Sequence, residues 1–178
     1  MKRYIYKCKY RNYNKIKLVG VIKLKLLVPM NENEYNTYVK DKKERYALTL
    51  EGNTFEITNE TPLNRAEKAI NNYLTDGFNT KYHEFYNVVS NGDIVGYVWI
   101  KVIEESKSAF LYEIFLKDMY RSKGIGKKVM TELELLLSHR KISYFKLHVF
   151  GNNVHAINLY SNLGFNIAGI NMYKELTK

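Results

Sequence analysis

Between residues 84 and 116 apolar side chains recur at every second position or in short continuous runs, the pattern of strands. After residue 124 the period lengthens to that of a helix. Residues 84–90, 94–104 and 109–116 are predicted strands, and Asn91-Gly92 between the first two is a two-residue hairpin signal. Ile125, Val129, Leu133, Leu136 and Leu137 then fall on one face of a helix predicted over 124–140. A strand over 144–150, a helix over 153–163 and a last strand over 165–174 complete this half. Strand, helix, strand, helix, strand implies a mixed α/β sheet with at least one parallel pair and ligand space near strand carboxyl ends.

The first half is less strongly patterned. Residues 23–30 read as a strand ended by Pro29, and a helix over 33–45 follows Asn31 or Asn33 as its capping residue. Residues 47–58 are ambiguous. Thr61-Pro62 has the form of an N-cap with proline at the first helical position, opening a helix to about Leu74 that Asp76-Gly77 ends.

The chain has 178 residues, enough for one ordinary domain with a real core. Its 16 tyrosines argue against a disordered chain. The net charge of +10 suggests a nucleic-acid partner, but its distribution weakens that reading. Nine of the 28 basic residues lie between Lys2 and Lys25, and no acid precedes Glu32; without them 19 basic residues face 18 acidic ones. We therefore expect a basic N-terminal extension over 1–22 and a nearly neutral domain over 23–178. Nucleic acid is not an expected partner of the domain and would have to be bound through the extension. Cys8 is the lone cysteine, which excludes an internal disulfide and a cysteine-rich zinc site. The apolar run 18–28 is broken by Lys23 and Lys25, and no segment reaches the roughly 20 apolar residues that span a bilayer. A cytoplasmic protein with no membrane partner is the expectation.

Arg121-Ser122-Lys123-Gly124-Ile125-Gly126 connects the strand over 109–116 to the helix over 124–140. The first turn of a helix presents backbone N–H groups without intrahelical partners and a partial positive charge, which suits a phosphate. Gly124 and Gly126 allow close approach, and Arg121, Lys123, Lys127 and Lys128 add charge. The spacing is that of neither a P-loop nor a dinucleotide fingerprint. Downstream, Asn153-x-x-Ala156-x-x-Leu159-Tyr160-x-x-x-Gly164-Phe165 puts its apolar positions at helical spacing, with Gly164 as a C-terminal cap.

Arg-x-x-Gly-x-Gly between strand and helix resembles one motif of the GNAT superfamily of N-acetyltransferases, and the Asn153–Phe165 pattern resembles the next. Leu147-His148-Val149-Phe150-Gly151-Asn152-Asn153 and the ending Asn171-Met172-x-Lys174-Glu175-Leu176 look like a subgroup of small bacterial acetyltransferases. The resemblance covers about residues 23–178. It implies the GNAT fold, a mixed central sheet flanked by helices, with a parallel splayed strand pair at the acyl-CoA cleft. It also implies acetyl-CoA as co-substrate and transfer to an amine in a ternary complex. Carried over, Arg121, Ser122, Lys123, Gly124, Ile125, Gly126 and Lys127 hold the pyrophosphate, Phe115 and Leu116 offer backbone groups to the pantetheine arm, and Asn153 lies beside that arm. Tyr160 becomes the candidate general acid, since a phenol with a pKa near 10 can protonate a departing thiolate.

Glu113, on the strand before the turn, is the candidate base. His83 is a candidate on the acceptor side. His148 alternates with Leu147 and Val149 on a predicted strand and is assigned a structural role, as are Phe110, Tyr112 and Phe115; His155 is expected on an exposed helix face and Asp118 in a turn. The four histidines lack metal-ligand spacing, so no metal is expected. The identity of the amine acceptor and a homodimer stay open. A non-catalytic acyl-CoA-binding module, or one tethered to nucleic acid by its basic arm, is the alternative.

Overall fold

The computed structural model describes residues 24–53 and 58–176. The predicted extension over 1–22, with Cys8, lies outside the described residues. The described chain divides into two compact units, one containing 24–30 and 82–147, the other 31–81 and 148–176.

The first unit is a five-stranded sheet with one helix. Its strands are β1 (Leu27–Pro29), β2 (His83–Ser90), β3 (Asp93–Ile103), β4 (Ser108–Leu116) and β5 (Tyr144–Leu147), arranged in sequence order across the sheet. β1 to β4 pair antiparallel, and β4 and β5 form the parallel pair expected from the strand–helix–strand pattern. The crossover between them is the helix Ile125–His139, the third of the chain and called α3. At the β2–β3 hairpin Asn91 and Gly92 both have positive φ, +53° and +91°, as a tight hairpin demands. β3 is buried on both faces: Val95, Val98, Trp99, Ile100 and Val102 are all at most 2% exposed.

Arg140, at the C-terminal end of the helix 125–139, holds Glu84 of β2 at 2.7 Å and Glu104 at 3.0 Å. This places the helix on the sheet face that carries Glu84, Tyr86, Val98 and Ile100. There it buries Val129, Met130, Leu133, Leu136 and Leu137, the stripe read from the sequence with Met130 added. By alternation, His83, Phe85, Trp99 and Lys101 belong to the opposite face. The start of the sheet depends on one helix carboxylate. Glu132 accepts hydrogen bonds from the backbone N–H groups of Lys25 (3.0 Å), Leu26 (3.0 Å) and Leu27 (3.3 Å), joining the chain before β1 to a residue more than a hundred positions away.

The second unit contains α1 (Glu32–Glu51), α2 (Pro62–Tyr73) and α4 (Val154–Asn162), with α3 being the first unit's helix. Asn31 is the N-cap of α1 because Glu34 lies three residues on. The Asn31 side chain accepts from Glu34 N–H at 3.0 Å, and the Glu34 carboxylate accepts from Asn31 N–H at 2.8 Å, a complete capping box. The helix continues to Glu51, through part of the ambiguous stretch. Thr61 caps α2 with Pro62 at its first position, as predicted. α1 and α2 pack together, with Tyr35, Tyr38 and Ala47 of the one and Ala66 and Ile70 of the other buried.

Three expectations need correction. Of the strand expected over 23–30, only Leu27–Pro29 forms among the described residues. β5 ends at Leu147, three residues short of the predicted strand, so His148 lies beyond it, exposed, with its ring edge-on to Phe150 at 5.1 Å. The last strand predicted over 165–174 does not form; residues 165–176 have no regular structure, and Ile167, Ile170 and Met172 are exposed. The apolar spacing that suggests a strand says nothing about a neighbour to complete its hydrogen bonds, and a strand is defined by that neighbour.

Glu132→Ala should lower stability by about 1–3 kcal/mol, since it strips the charged acceptor from three successive N–H groups. Glu132→Gln, which keeps one carbonyl acceptor, should fall between it and the parent. Urea unfolding followed by circular dichroism measures both.

Candidate functional site

The site is built on one irregularity in β4. Trp99 of β3 stands opposite Glu113, yet the next residue, Ile100, stands opposite Leu111. Tyr112 is therefore an extra residue, a β-bulge, and two residues of β4 oppose one of β3. Pairing between β4 and β5 runs from Ser108↔Tyr144 to Leu111↔Leu147 and stops there. The bulge thus begins where the parallel ladder ends, and β4 continues to Leu116 without β5 beside it. A bulged strand bends and twists more strongly, so the bulge favours divergence of β4 from β5 past their last pair.

Close contact on the other side of β4 keeps it against β3. Gly96 stands opposite Leu116, and a Cβ there would lie 2.1 Å from the Phe115 carbonyl oxygen. No side chain fits at that position without moving the β4 backbone. Sequence reading overlooked Gly96 because a lone glycine inside a strand has many explanations.

Beyond β4 the chain makes a short 3-10 turn over Asp118–Tyr120, where Asp118 serves as the turn residue expected. Ser122 (φ +57°) and Gly124 (φ +74°) both take the left-handed conformation, flanking Lys123, and Gly124 is the N-cap of α3. The first intrahelical bond is donated by Lys128 N–H to the Gly124 carbonyl at 3.2 Å. The N–H groups of Ile125, Gly126 and Lys127 precede that ladder, so an anion can meet them together with the helix dipole. Lys123, Lys127 and Lys128 are exposed around them. Arg121 is held in place: its Nη1 meets Asp118 at 2.9 Å, its Nε donates to the Leu116 carbonyl at 2.8 Å, and its guanidinium lies 5.5 Å from the Phe115 ring. Glu113, Phe115, Leu116 and the turn are thereby gathered at one end of one sheet.

On the sheet face opposite α3, aromatic rings run across the strands. Trp99 stacks on Tyr112 at 4.5 Å, Tyr112 meets Phe110 at 4.9 Å, and Tyr97 stacks on Phe115 at 6.1 Å. Phe110, Tyr112 and Phe115 are only half-buried, so the purely core role expected of them is too simple. His83 joins this cluster, 5.4 Å from Tyr112, and its Nδ1 accepts a 2.8 Å hydrogen bond from the Trp99 indole N–H. Burial, with a smaller contribution from Lys101, lowers its pKa to about 4. Trp99 and Lys101 are the partners the sequence reading missed, although a lone tryptophan is itself a signal.

Asn153 and Tyr160 lie in the second unit. Asn153 caps α4, its side chain accepting from Ala156 N–H at 3.1 Å. Tyr160 is half-buried on the same helix, its ring 5.7 Å from Phe165, and its hydroxyl has no hydrogen-bond partner among the described residues. Burial pushes the phenol pKa up, so it keeps its proton at neutral pH. His155 is exposed, as expected. No cluster of three or more metal-ligating side chains occurs among the described residues, and no described helix is long and apolar enough to cross a membrane.

The model of the acetyltransferase (GNAT) family matches residues 48–165. The uncharacterized N-acetyltransferase YycN of Bacillus subtilis is 29% identical over 155 residues, 85% of this chain and 98% of that protein. Its crystal structure superposes with a TM-score of 0.78, covering 86% of this chain and 99% of the other at 28% identity. The spermine/spermidine N(1)-acetyltransferase of the same organism is 31% identical over 103 residues, 54% of this chain and 68% of that protein. The PaiA N-acetyltransferase of Thermoplasma acidophilum, solved with coenzyme A, shares the fold at a TM-score of 0.61 and 19% identity, over 82% of this chain and 91% of its own.

The burial of His83 makes a pH prediction. An unfolded histidine binds its proton near pH 6.5, whereas folded His83 binds it only near pH 4. Its share of the stability is intact above the higher value and declines as pH falls from one to the other. Urea midpoints measured from about pH 7.5 to about pH 4 should fall less steeply for His83→Phe/Trp99→Phe than for the parent.

Proposed function

The chain belongs to the acetyltransferase (GNAT) family, and on that premise we propose that it transfers an acetyl group from acetyl-CoA directly to a primary amine in a ternary complex. The observation that carries this reading is the glycine turn that follows β4 after it has run on alone past its last pair with β5. It offers helix N–H groups and lysines to a diphosphate, at the carboxyl end of a parallel strand pair.

In this reading the N–H groups of Ser122, Lys123, Gly124, Ile125, Gly126 and Lys127 bind the pyrophosphate. Arg121, kept in orientation by Asp118, adds charge beside them. Phe115 and Leu116 present backbone groups to the pantetheine arm, and the Leu116 carbonyl still has a second lone pair after accepting from Arg121. Asn153 flanks the same arm. Holding this long handle supplies proximity, so modest acid–base groups suffice. The neutral amine attacks the thioester carbonyl, a strand N–H stabilises the developing oxyanion, and Glu113 takes the amine proton directly or through water. Tyr160 donates its proton to the departing CoA sulfur, a role supported by a phenol that stays protonated and has no competing partner among the described residues.

The acceptor panel should include spermidine, because a relative is a spermine/spermidine acetyltransferase. With acetyl-CoA and a mixed amine panel, mass spectrometry should show acetylated product. Coenzyme A binding with no product would instead assign a binding module. Tyr160→Phe should reduce kcat about 100-fold or more while leaving the KM for acetyl-CoA nearly unchanged. An unaltered kcat removes Tyr160 from the chemistry.

A further inference from the structure

His83 is fixed by a donor that has no alternative. An indole nitrogen can only donate, so the His83 Nδ1 it meets at 2.8 Å must be the unprotonated nitrogen, and the neutral ring carries its hydrogen on Nε2. Trp99 is 2% exposed, which makes this bond costly to break. Nε2 has no hydrogen-bond partner among the described residues, and His83 is only half-buried. The backbone before it is also strained. Tyr82 takes φ +70°, a conformation that a non-glycine residue holds only when its surroundings impose it. Its carbonyl accepts from Val102 N–H at 2.9 Å, which sets the start of β2.

A neutral N–H donor requires an acceptor atom, and an amine about to attack cannot spare its lone pair. The complementary group is an oxygen. Lys101, directly opposite His83 in the β2–β3 register, has no ion pair among the described residues and makes that oxygen better as an anion. Among the described residues of this face, His83 also meets Tyr112 of β4, which in turn meets Phe110, and Phe85 packs beside Trp99. Glu84 projects to the other face, where Arg140 holds it, and the Tyr82 hydroxyl contacts Glu105. Glu113 stands farther along β4, opposite Trp99.

We propose that the Nε2–H of His83 and the ammonium of Lys101 together bind a carboxylate of the amine acceptor. The substrate class is then an amino acid or peptide rather than a bare polyamine, which Lys101 would repel. His83 is on this account a specificity residue, held in its tautomer by Trp99. The assignment deepens the acetyl-transfer reading and rests on it for the identity of the ligand as acceptor.

Matched probes test it: L-lysine against cadaverine, L-ornithine against putrescine, and spermidine as the polyamine. Trp99 is the only tryptophan, so its emission reports occupancy of this face with coenzyme A present and no turnover. The carboxylate-bearing member of each pair should bind more tightly, and with acetyl-CoA should show a higher kcat/KM, by about tenfold or more, the worth of one charge-assisted hydrogen bond. His83→Phe/Trp99→Phe, which removes both polar partners and leaves no orphaned indole, should bring the kcat/KM ratio to near unity. His83→Gln, which keeps a donor N–H, should retain part of it. Equal binding within each pair, an unchanged ratio in the double variant, or flat Trp99 emission with every probe overturns the proposal. Selective Trp99 responses without acetylated product would uphold the carboxylate site and defeat the acetyl-transfer reading.

Discussion

Both the glycine turn and the His83 face depend on how β4 is held. On one side Gly96 lets the β4 backbone come so close to β3 that no side chain fits between them, with Phe115 and Leu116 the residues approached. On the other side pairing with β5 lasts only four residues. The extra residue at Tyr112 reconciles the two: β4 stays bonded to β3 along its whole length while shifting register one residue past its last pair with β5.

The same bulge organises the side chains. It lets Tyr112 lie flat against Trp99, and that stacking buries an indole whose N–H then needs a partner. His83 supplies it, from a strand start that Tyr82 holds in a left-handed conformation. One backbone irregularity is thus linked to a defined histidine tautomer two strands away. The glycine turn follows from the same strand. β4 ends at Leu116, the chain turns through Asp118–Tyr120, and two left-handed residues deliver it into α3 with the first N–H groups outside the helical ladder.

Long-range ties keep this arrangement in place. Glu132 on the solvent-side shoulder of α3 captures three N–H groups ahead of β1, and Arg140 at the end of the helix joins Glu84 and Glu104. Both use charged groups on the crossover helix to fasten backbone or side chains from distant parts of the sheet. The apolar face of α3 provides most of the adhesion, and these contacts set its position over the strands.

Local chemistry made much of this chain legible before any fold was known. Asn91-Gly92, Thr61-Pro62 and the Val129–Leu133–Leu137 stripe carry their meaning within a few residues, because turn conformation, capping and helical period are short-range properties. The glycine turn was legible for the same reason, since its anion-binding capacity comes from the backbone at a helix start. What pairs with what was not. The bulge at Tyr112, the requirement for Gly96, the reach of Glu132 to Lys25 and the bond from Trp99 to His83 all depend on strands brought together in register, and no local pattern encodes register to the residue. The failure of 165–174 to form a strand has the same cause: its alternation was in the sequence, but the partner that would make it a strand could only come from the tertiary structure.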